Sequence, residues 1–221
     1  MLKDFISSHH KSTSRNYFER MNPDKKECMK IAAQFEKEYW DGDRKYGYGG
    51  YRYDGRWAPL ADRLIKEYEL TNESKVLDLG CGKAFILFEL QKKLPGISLV
   101  GRDISKHALK DTPGELTADL EILDLNQRDC LSHFQDNFFD LTLSIMTLHN
   151  LELPELESSL KEIERISKRS FVAVESYRNW SELTNLQCWA LTCNSFLSPR
   201  EWEFLFEKTE YSGDFEFLFF T

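Results

Sequence analysis

The chain has no run of 18 apolar residues, no C-x-x-C pair, no excess of positive charge and no third glycine where a dinucleotide-binding turn would need one. Each absence removes a class of protein. Without a long apolar run no segment is predicted to span a bilayer, and Met1-Leu2-Lys3-Asp4 leads into polar residues rather than a signal-peptide core. The five cysteines, Cys28, Cys81, Cys130, Cys188 and Cys193, are odd in number and have no histidine at zinc spacing, so neither a disulfide framework nor a metal site is expected. They read as reduced thiols in a cytoplasm. With 29 Lys and Arg against 37 Asp and Glu, the net charge of −8 supplies no basic field to attract nucleic acid. Internal repeats and low-complexity tracts are also lacking.

What the chain has is alternation. Strand-like runs at about 75–79, 97–102, 120–124, 139–146, 170–175 and 214–220 alternate with helical patterns at about 83–94, 105–111, 153–167, 182–192 and 199–209. This predicts an α/β, Rossmann-like architecture, a mostly parallel sheet with helices on both faces. In Ser198-Pro199-Arg200-Glu201, Ser198 is placed to cap a helix and Glu201 to return the bond. Phe215, Phe217, Phe219 and Phe220 suit an internal sheet or a dimer edge equally, leaving monomer and homodimer open. Residues 1–20, with Ser7-Ser8-His9-His10, are polar and expected to be mobile until covered. From Pro23 to about Tyr39 an apolar side formed by Met29, Ala32, Ala33, Phe35 and Tyr39 predicts a helix over the core, and a second helix starts at Ala58-Pro59-Leu60. The expected division is an N-terminal extension over 1–57, comprising a helix and a Tyr/Gly/Arg-rich lid, and one globular unit over 58–221.

The most informative stretch is Val76-Leu77-Asp78-Leu79-Gly80-Cys81-Gly82-Lys83-Ala84, followed by Gly101-Arg102-Asp103-Ile104-Ser105. A buried strand ends in a glycine turn that opens a helix, and a carboxylate roughly 20 residues on is placed to accept ribose hydroxyls. Such an arrangement holds an adenosine. A G-x-G-x-x-G turn would put its third glycine where Phe85 stands, which disfavours a nicotinamide dinucleotide. The pattern D-x-G-x-G-x-A instead resembles the first motif of class I S-adenosylmethionine (SAM) methyltransferases, and the resemblance extends over about residues 75–175. Asp78 and Gly80-Cys81-Gly82 match that family's methionine-binding turn, Asp103 its ribose carboxylate, Asn137 to Ser144 its fourth strand, and Met146 to Leu151 the following loop. The resemblance implies SAM as cofactor, S-adenosylhomocysteine as product, and cofactor contacts from Asp78, Gly80, Cys81, Gly82, Asp103, Ile104, Asp124 and Ser144. Asp129 is the alternative to Asp124 near adenine. There are two departures. Ala84 stands where the family often has a third glycine, expected to add only a methyl inside a helix turn, and a single strand follows the fifth where the family usually has a β-hairpin. The fourth strand runs into Ser144-Ile145-Met146-Thr147 rather than N-P-P-Y or D-P-P-Y, which further disfavours nucleic-acid methylation.

Between Asp41 and Trp57, 17 residues hold five of the eleven glycines and four of the nine tyrosines. Aromatic faces attract ammonium groups and arginine forks match phosphate oxygens, so Tyr46, Tyr48, Tyr51, Tyr53, Arg44, Arg52 and Arg56 could receive a phosphorylated amine. The competing reading is a lid over the sheet edge. His149, where the fourth strand hands over to its helix, is the candidate base; Glu175 could orient a substrate amine and Arg178 could hold a phosphate, with Tyr177 between them. Trp180, Trp189 and Trp202 read as core or interface. Tyr46-Gly47-Tyr48-Gly49-Gly50, Tyr53 to Trp57, Leu148 to Glu152 and Val174 to Asn179 together resemble small bacterial methyltransferases of capsule and surface-polysaccharide synthesis. That implies a small activated building block as acceptor. The expected reaction is N-methylation of an amino-alcohol phosphate such as ethanolamine phosphate or serinol phosphate. The alternatives are O-methylation of a nucleotide sugar, and a non-catalytic interaction module that keeps the fold.

Overall fold

Neighbouring residues of a strand face opposite sides of a sheet, and this chain places apolar side chains on both. In the computed structural model, which describes residues 1–7, 15–21 and 24–221, Val76, Leu141, Leu143, Phe171 and Ala173 pack on one face with Leu64, Leu87 and Leu90. Their neighbours Leu77, Leu79, Val172 and Val174 pack on the other with Leu156, Leu160, Ile163 and Trp202. A sheet buried on both faces is the setting in which all-parallel pairing occurs. The strands are β1 (Lys75–Leu79), β2 (Ser98–Asp103), β3 (Asp119–Ile122), β4 (Leu141–Ile145), β5 (Ser170–Ser176) and β6 (Asp214–Phe219). They lie in the order β3-β2-β1-β4-β5-β6, every pairing parallel.

The helices are α1 (Tyr17–Arg20), α2 (Lys25–Ala32), α3 (Lys37–Asp41), α4 (Ala58–Tyr68), α5 (Phe85–Lys93), α6 (Lys106–Lys110), α7 (Leu153–Ile166), α8 (Trp180–Trp189) and α9 (Pro199–Lys208). Helix α9 starts as its sequence predicts, with Glu201 Oε2 accepting from Ser198 N at 2.7 Å. The single helix expected from Pro23 to Tyr39 is instead two, α2 and α3, because the chain turns through a left-handed residue at Phe35, φ 51°. Pro23 itself, with His9 and His10, lies outside the described residues. One strand, β6, follows β5 among the described residues.

The cover that the polar start is expected to need is supplied, for residues 1–7, by the last strand. Leu2 bridges to Phe215, and Lys3 N donates to Phe215 O at 2.8 Å. The carboxylate of Glu216, 1% exposed, accepts from Phe5 N (2.7 Å), Ile6 N (2.9 Å), Ser7 N (2.6 Å) and Ser7 Oγ (2.7 Å). The outer edge of β6 around Phe215 is therefore occupied by the chain's own N-terminal residues.

Strand order reverses between β1 and β4, so the chain leaves their C-terminal ends toward opposite sides and a crevice opens there. Backbone conformation marks the place. Gly80 (φ 80°) and Gly82 (φ 55°) turn the chain after β1, and Met146, at φ 59°, turns it after β4. Ala84 is left-handed too, at φ 56°. It precedes α5 rather than lying inside it, so its methyl strains the backbone by about 1 kcal/mol, which accounts physically for a glycine preference at this position.

Replacing Glu216 with Ala would leave the amides of Phe5, Ile6 and Ser7 without their acceptor. A loss of about 2–4 kcal/mol in unfolding free energy is expected, with residues 1–7 becoming fast in amide hydrogen exchange. Unchanged exchange there would mean that β6 pairing alone holds the segment.

Candidate functional site

Two adjoining cavities, about 470 and 110 Å³, open at the crevice between β1 and β4. Gly80, Ile145 and Met146 border both, as do Tyr39, Trp40 and Tyr48 from the N-terminal part. The smaller cavity is walled by Asp103, Ile104 and Asp124, and the larger by Asp78, Cys81, Gly82, His149 and Glu175.

The glycines of the turn are sterically required. A Cβ on Gly80 would run into Thr147, and one on Gly82 would stand 2.6 Å from the Trp40 ring. Trp40 lies on the bare backbone of the turn, its indole N–H donating to Ser105 Oγ (3.0 Å) and Phe35 O (2.8 Å). Tyr48 stacks on Trp40 with ring centroids 5.2 Å apart, and Tyr51 follows on Tyr48 at 4.6 Å and on Phe85 at 4.9 Å. The loop's tyrosines thus form a stacked wall that ends on the first helix of the sheet.

Asp103 receives Gly82 N on Oδ2 (2.7 Å) and Ser105 N on Oδ1 (2.8 Å), which fixes its carboxylate between the turn and the head of α6. Burial raises its pKa, with the two amides working against that rise. Asp78 is more affected: burial, and then the charge of Asp103, push it up to about 7. Two buried carboxylates on connected cavities call for a cationic ligand with hydroxyl donors.

His149 and Glu175 meet at the far wall. Glu175 N donates to His149 Nδ1 (3.4 Å), and His149 Nε2 lies 3.5 Å from Glu175 Oε2. Burial pushes Glu175 up to about 8, opposed by the charge of Arg15, and pushes His149 down to about 3. At neutral pH the pair is a carboxylic acid facing an uncharged imidazole. His149 is consequently a poor proton acceptor, and Glu175 has the affinity suited to that task.

The structure gathers only part of the sequence-predicted set. Asp78, Gly80, Cys81, Gly82, Asp103, Ile104 and Asp124 line the cavities, whereas Asp129 is exposed and outside both. Ser144 is fully buried, gives its hydroxyl to Leu79 O (3.1 Å), and ties β4 to β1 instead of facing a cavity. Tyr48, Tyr51, Arg52 and Arg56 border the larger cavity, with the Arg56 guanidinium bound to Asp54. Tyr46 packs toward Cys28, Ala32 and Leu191, and Tyr53 is held by Glu89 and Lys92, so neither lines a cavity. Arg178 is exposed and paired with Glu182, and Tyr177 interacts with Glu201, both away from the cavities. The tryptophans also divide: Trp202 is core, Trp180 is 83% exposed, and Trp189 lies on the larger cavity's wall. Tyr39, Trp40, Thr147, Arg15, Arg20 and Trp189 border the cavities or the turn without being expected there from sequence: periodicity puts Tyr39 on a helix face, Thr147 falls in the loop after the fourth strand, Trp189 reads as core or interface, and Trp40, Arg15 and Arg20 carry no spacing signal.

Asp41, His107 and Asp111 bring three ligand-type atoms within 4.8 Å of one another. The Lys83 ammonium sits among them, donating to both Asp41 oxygens (2.7 and 2.8 Å) and to Asp111 Oδ2 (2.7 Å), so this cluster already contains its cation.

The raised Glu175 pKa has a thermodynamic sign. The folded chain retains that proton while the unfolded chain releases it at the ordinary value of 4.5, so this group's contribution to stability falls from about pH 4.5 to about 8. In the Glu175→Gln variant the proton cannot be lost. Its melting temperature relative to the parent is expected to climb between pH 5 and 8 and level off above, read by thermal denaturation. A flat difference would place Glu175 near its ordinary pKa.

Against known proteins, a methyltransferase-domain family matches residues 70–210. No curated protein matches the chain. Among solved structures, a SAM-dependent methyltransferase from Archaeoglobus fulgidus aligns at 21% identity and TM-score 0.54, covering 69% of this chain and 68% of its own. A Haloferax volcanii complex of the Trm112 methyltransferase activator with a partner described as a methyltransferase aligns at 22% identity and TM-score 0.53, over 71% and 72%. The YcgJ protein of Bacillus subtilis aligns at 17% identity and TM-score 0.53, over 67% and 66%. At these identities the structures speak to the fold. The family match takes in the glycine turn and β1 to β5, well over half of the sequence, and the chain belongs to the methyltransferase-domain family.

Proposed function

We propose that this methyltransferase moves the methyl group of SAM onto the nitrogen of a small amino-alcohol phosphate, such as ethanolamine phosphate or serinol phosphate. When bound, SAM supplies a methyl group on a sulfonium, an electrophile with a good leaving group. Its binding site would comprise Asp103, Ile104 and Asp124 around the smaller cavity, with Gly80, Gly82 and Asp78 on the larger one. The fit is chemical: Asp78 and Asp103 are buried carboxylates on cavity walls, and the donor offers ribose hydroxyls and a positive charge.

The observation that carries the choice of nitrogen is the His149–Glu175 pair. An ammonium must shed a proton before it can attack; Glu175, once the incoming cation has driven its own proton to solvent, would accept the ammonium's proton on Oε2 while His149 Nε2–H orients the carboxylate. Tyr39, Tyr48 and Tyr51 border the same cavity, and their electron-rich faces favour the positive charge that grows on the nitrogen as it is methylated. Trp40 and Tyr48, stacked over the turn, keep water from the reacting groups. A sugar hydroxyl would instead ask His149 to act as base, and its burial argues against that role. A surface-polysaccharide setting rests on the resemblance of sequence segments alone.

Mass spectrometry after incubation with SAM and a panel of ethanolamine phosphate, serinol phosphate, their free alcohols and nucleotide sugars tests the reading. Methylation of the phosphorylated amines is expected, and methylation of a nucleotide sugar alone would overturn it. In the same assay Glu175→Gln should lose about 100-fold or more in rate at pH 7. Part of that loss should return as pH approaches the ammonium's own pKa. A loss that persists equally at high pH would make Glu175 structural. Asp103→Ala is expected to weaken S-adenosylhomocysteine binding by about 1.5–3 kcal/mol, measured by calorimetry, and unchanged affinity would remove Asp103 from the donor site.

A further inference from the structure

The three guanidiniums of Arg15, Arg20 and Arg44 approach one ring on the wall of the larger cavity. Their Cζ atoms lie 5.4, 5.0 and 5.0 Å from the centroid of Trp189. All four residues border the cavity. Arg15 precedes α1, Arg20 ends it, Arg44 begins the short 3-10 turn Arg44–Tyr46, and Trp189 closes α8, so four places in the sequence converge.

The cluster is electrostatically unusual for a chain of net charge −8. Arg20 donates to the carbonyl oxygens of Arg44 and Gly47, and Arg44 donates to that of Gly47, which are neutral acceptors. The Arg20 Nε is buried without a hydrogen-bond partner. Burial, and then the charge of Arg44, push Arg20 down to about 10. Lys25 is pushed down to about 8 by burial and by the charge of Arg20. The charge of Glu175 acts on Arg15, and burial pushes Glu175 up to about 8. Arg15 and Arg20 are half-buried and Arg44 is exposed, and an anion among the three would offset the repulsion of their like charges.

We propose that Arg15, Arg20 and Arg44, backed by Trp189, form a phosphate subsite at the end of the larger cavity. The three guanidinium carbons lie within 5.4 Å of one ring centroid, and guanidinium N–H forks match phosphate oxygens. The charge of Glu175 acts on Arg15, and both border the larger cavity, so one ligand carrying an amine and a phosphate could meet both. That suits a phosphomonoester joined to an amine by a few carbons. The subsite displaces Arg56 and Arg178 from the phosphate-binding role expected from sequence, since Asp54 and Glu182 hold their guanidiniums. Its use as the acceptor's anchor rests on the function proposed above, whereas phosphate binding itself does not.

The test is calorimetric titration of the full chain with inorganic phosphate at constant ionic strength. The parent is expected to bind, and Arg20→Gln and Arg44→Gln are each expected to weaken binding at least tenfold. Lys161→Gln, on an exposed helix face, should leave it unchanged. Melting temperatures of both arginine variants check folding, and a phosphate-dependent rise in the parent's melting temperature gives a reading that needs no variant. Ethanolamine phosphate and uridine diphosphate are then competed against phosphate: displacement by the monoester supports the assignment, and displacement by the diphosphate alone overturns the monoester. A parent that does not bind phosphate, or binding that both arginine variants retain, overturns the subsite. S-adenosylhomocysteine binding in the same samples separates the two readings. Donor binding without phosphate binding sinks the subsite alone, and phosphate binding without donor binding sinks the proposed function alone.

Discussion

One ammonium group fastens the N-terminal part of the chain to the glycine turn. Lys83 follows Gly82 directly and is 1% exposed, a position that a lysine cannot hold without compensation. Asp41, at the end of α3, and Asp111, just after α6, supply it. His107 Nε2 adds a further contact to Asp41 at 2.7 Å. Burial raises the Asp41 pKa, but Lys83 and His107 outweigh that effect and keep it below the ordinary value. Because Asp41 is the next residue after Trp40, this clasp also sets the indole on Gly82, and through Trp40 the stacked tyrosines. Removing one partner would leave a buried charge unmatched, which is far more damaging than never having had the pair.

The sheet was legible because its determinants are local and repeated. Apolar runs of strand length alternated with helical periodicity, and the turn at Gly80 and Gly82 with Asp103 at the next strand end has few other physical explanations. Errors arose where a residue's role depends on distant partners. Ser144 looked like a cofactor contact from its strand position, but its hydroxyl is taken by Leu79 O across a strand pair. Ala84 looked like a helical residue and is the left-handed residue before the helix. Arg15 and Arg20 carried no signal, and Trp189 read only as core or interface, since their meeting depends on how α1 and α8 pack. The loop's composition announced a special segment, yet could not distinguish Tyr48 and Tyr51, which face the cavity, from Tyr46 and Tyr53, which do not.

The chemistry of the site follows from burial more than from any single charged partner. Glu175, Asp78 and His149 are each shifted toward their uncharged forms mainly because water is excluded. Burial thus favours the uncharged forms of these three groups, and ligands that bring charge would set the ionisation of the groups they meet. S-adenosylmethionine, the methyl donor of this methyltransferase, brings positive charge. This is a preorganised arrangement of acids waiting for cations, and it needs no acidic surface field to work.

The bonds from Phe5, Ile6 and Ser7 to Glu216 span most of the chain, Phe5 and Glu216 being 211 positions apart. A ribosome delivers the first of these residues long before the last, so the opening segment has nowhere to dock until β6 has been made. The sheet from β1 to β5 can form earlier, with its glycine turn in place but without that seam along its final edge. Closing this seam is thus a long-range event, and the entropy of closing so large a loop is met by a few well-made bonds to one carboxylate. Until β6 is made, Phe5, Ile6 and Ser7 lack the carboxylate that accepts from their amides.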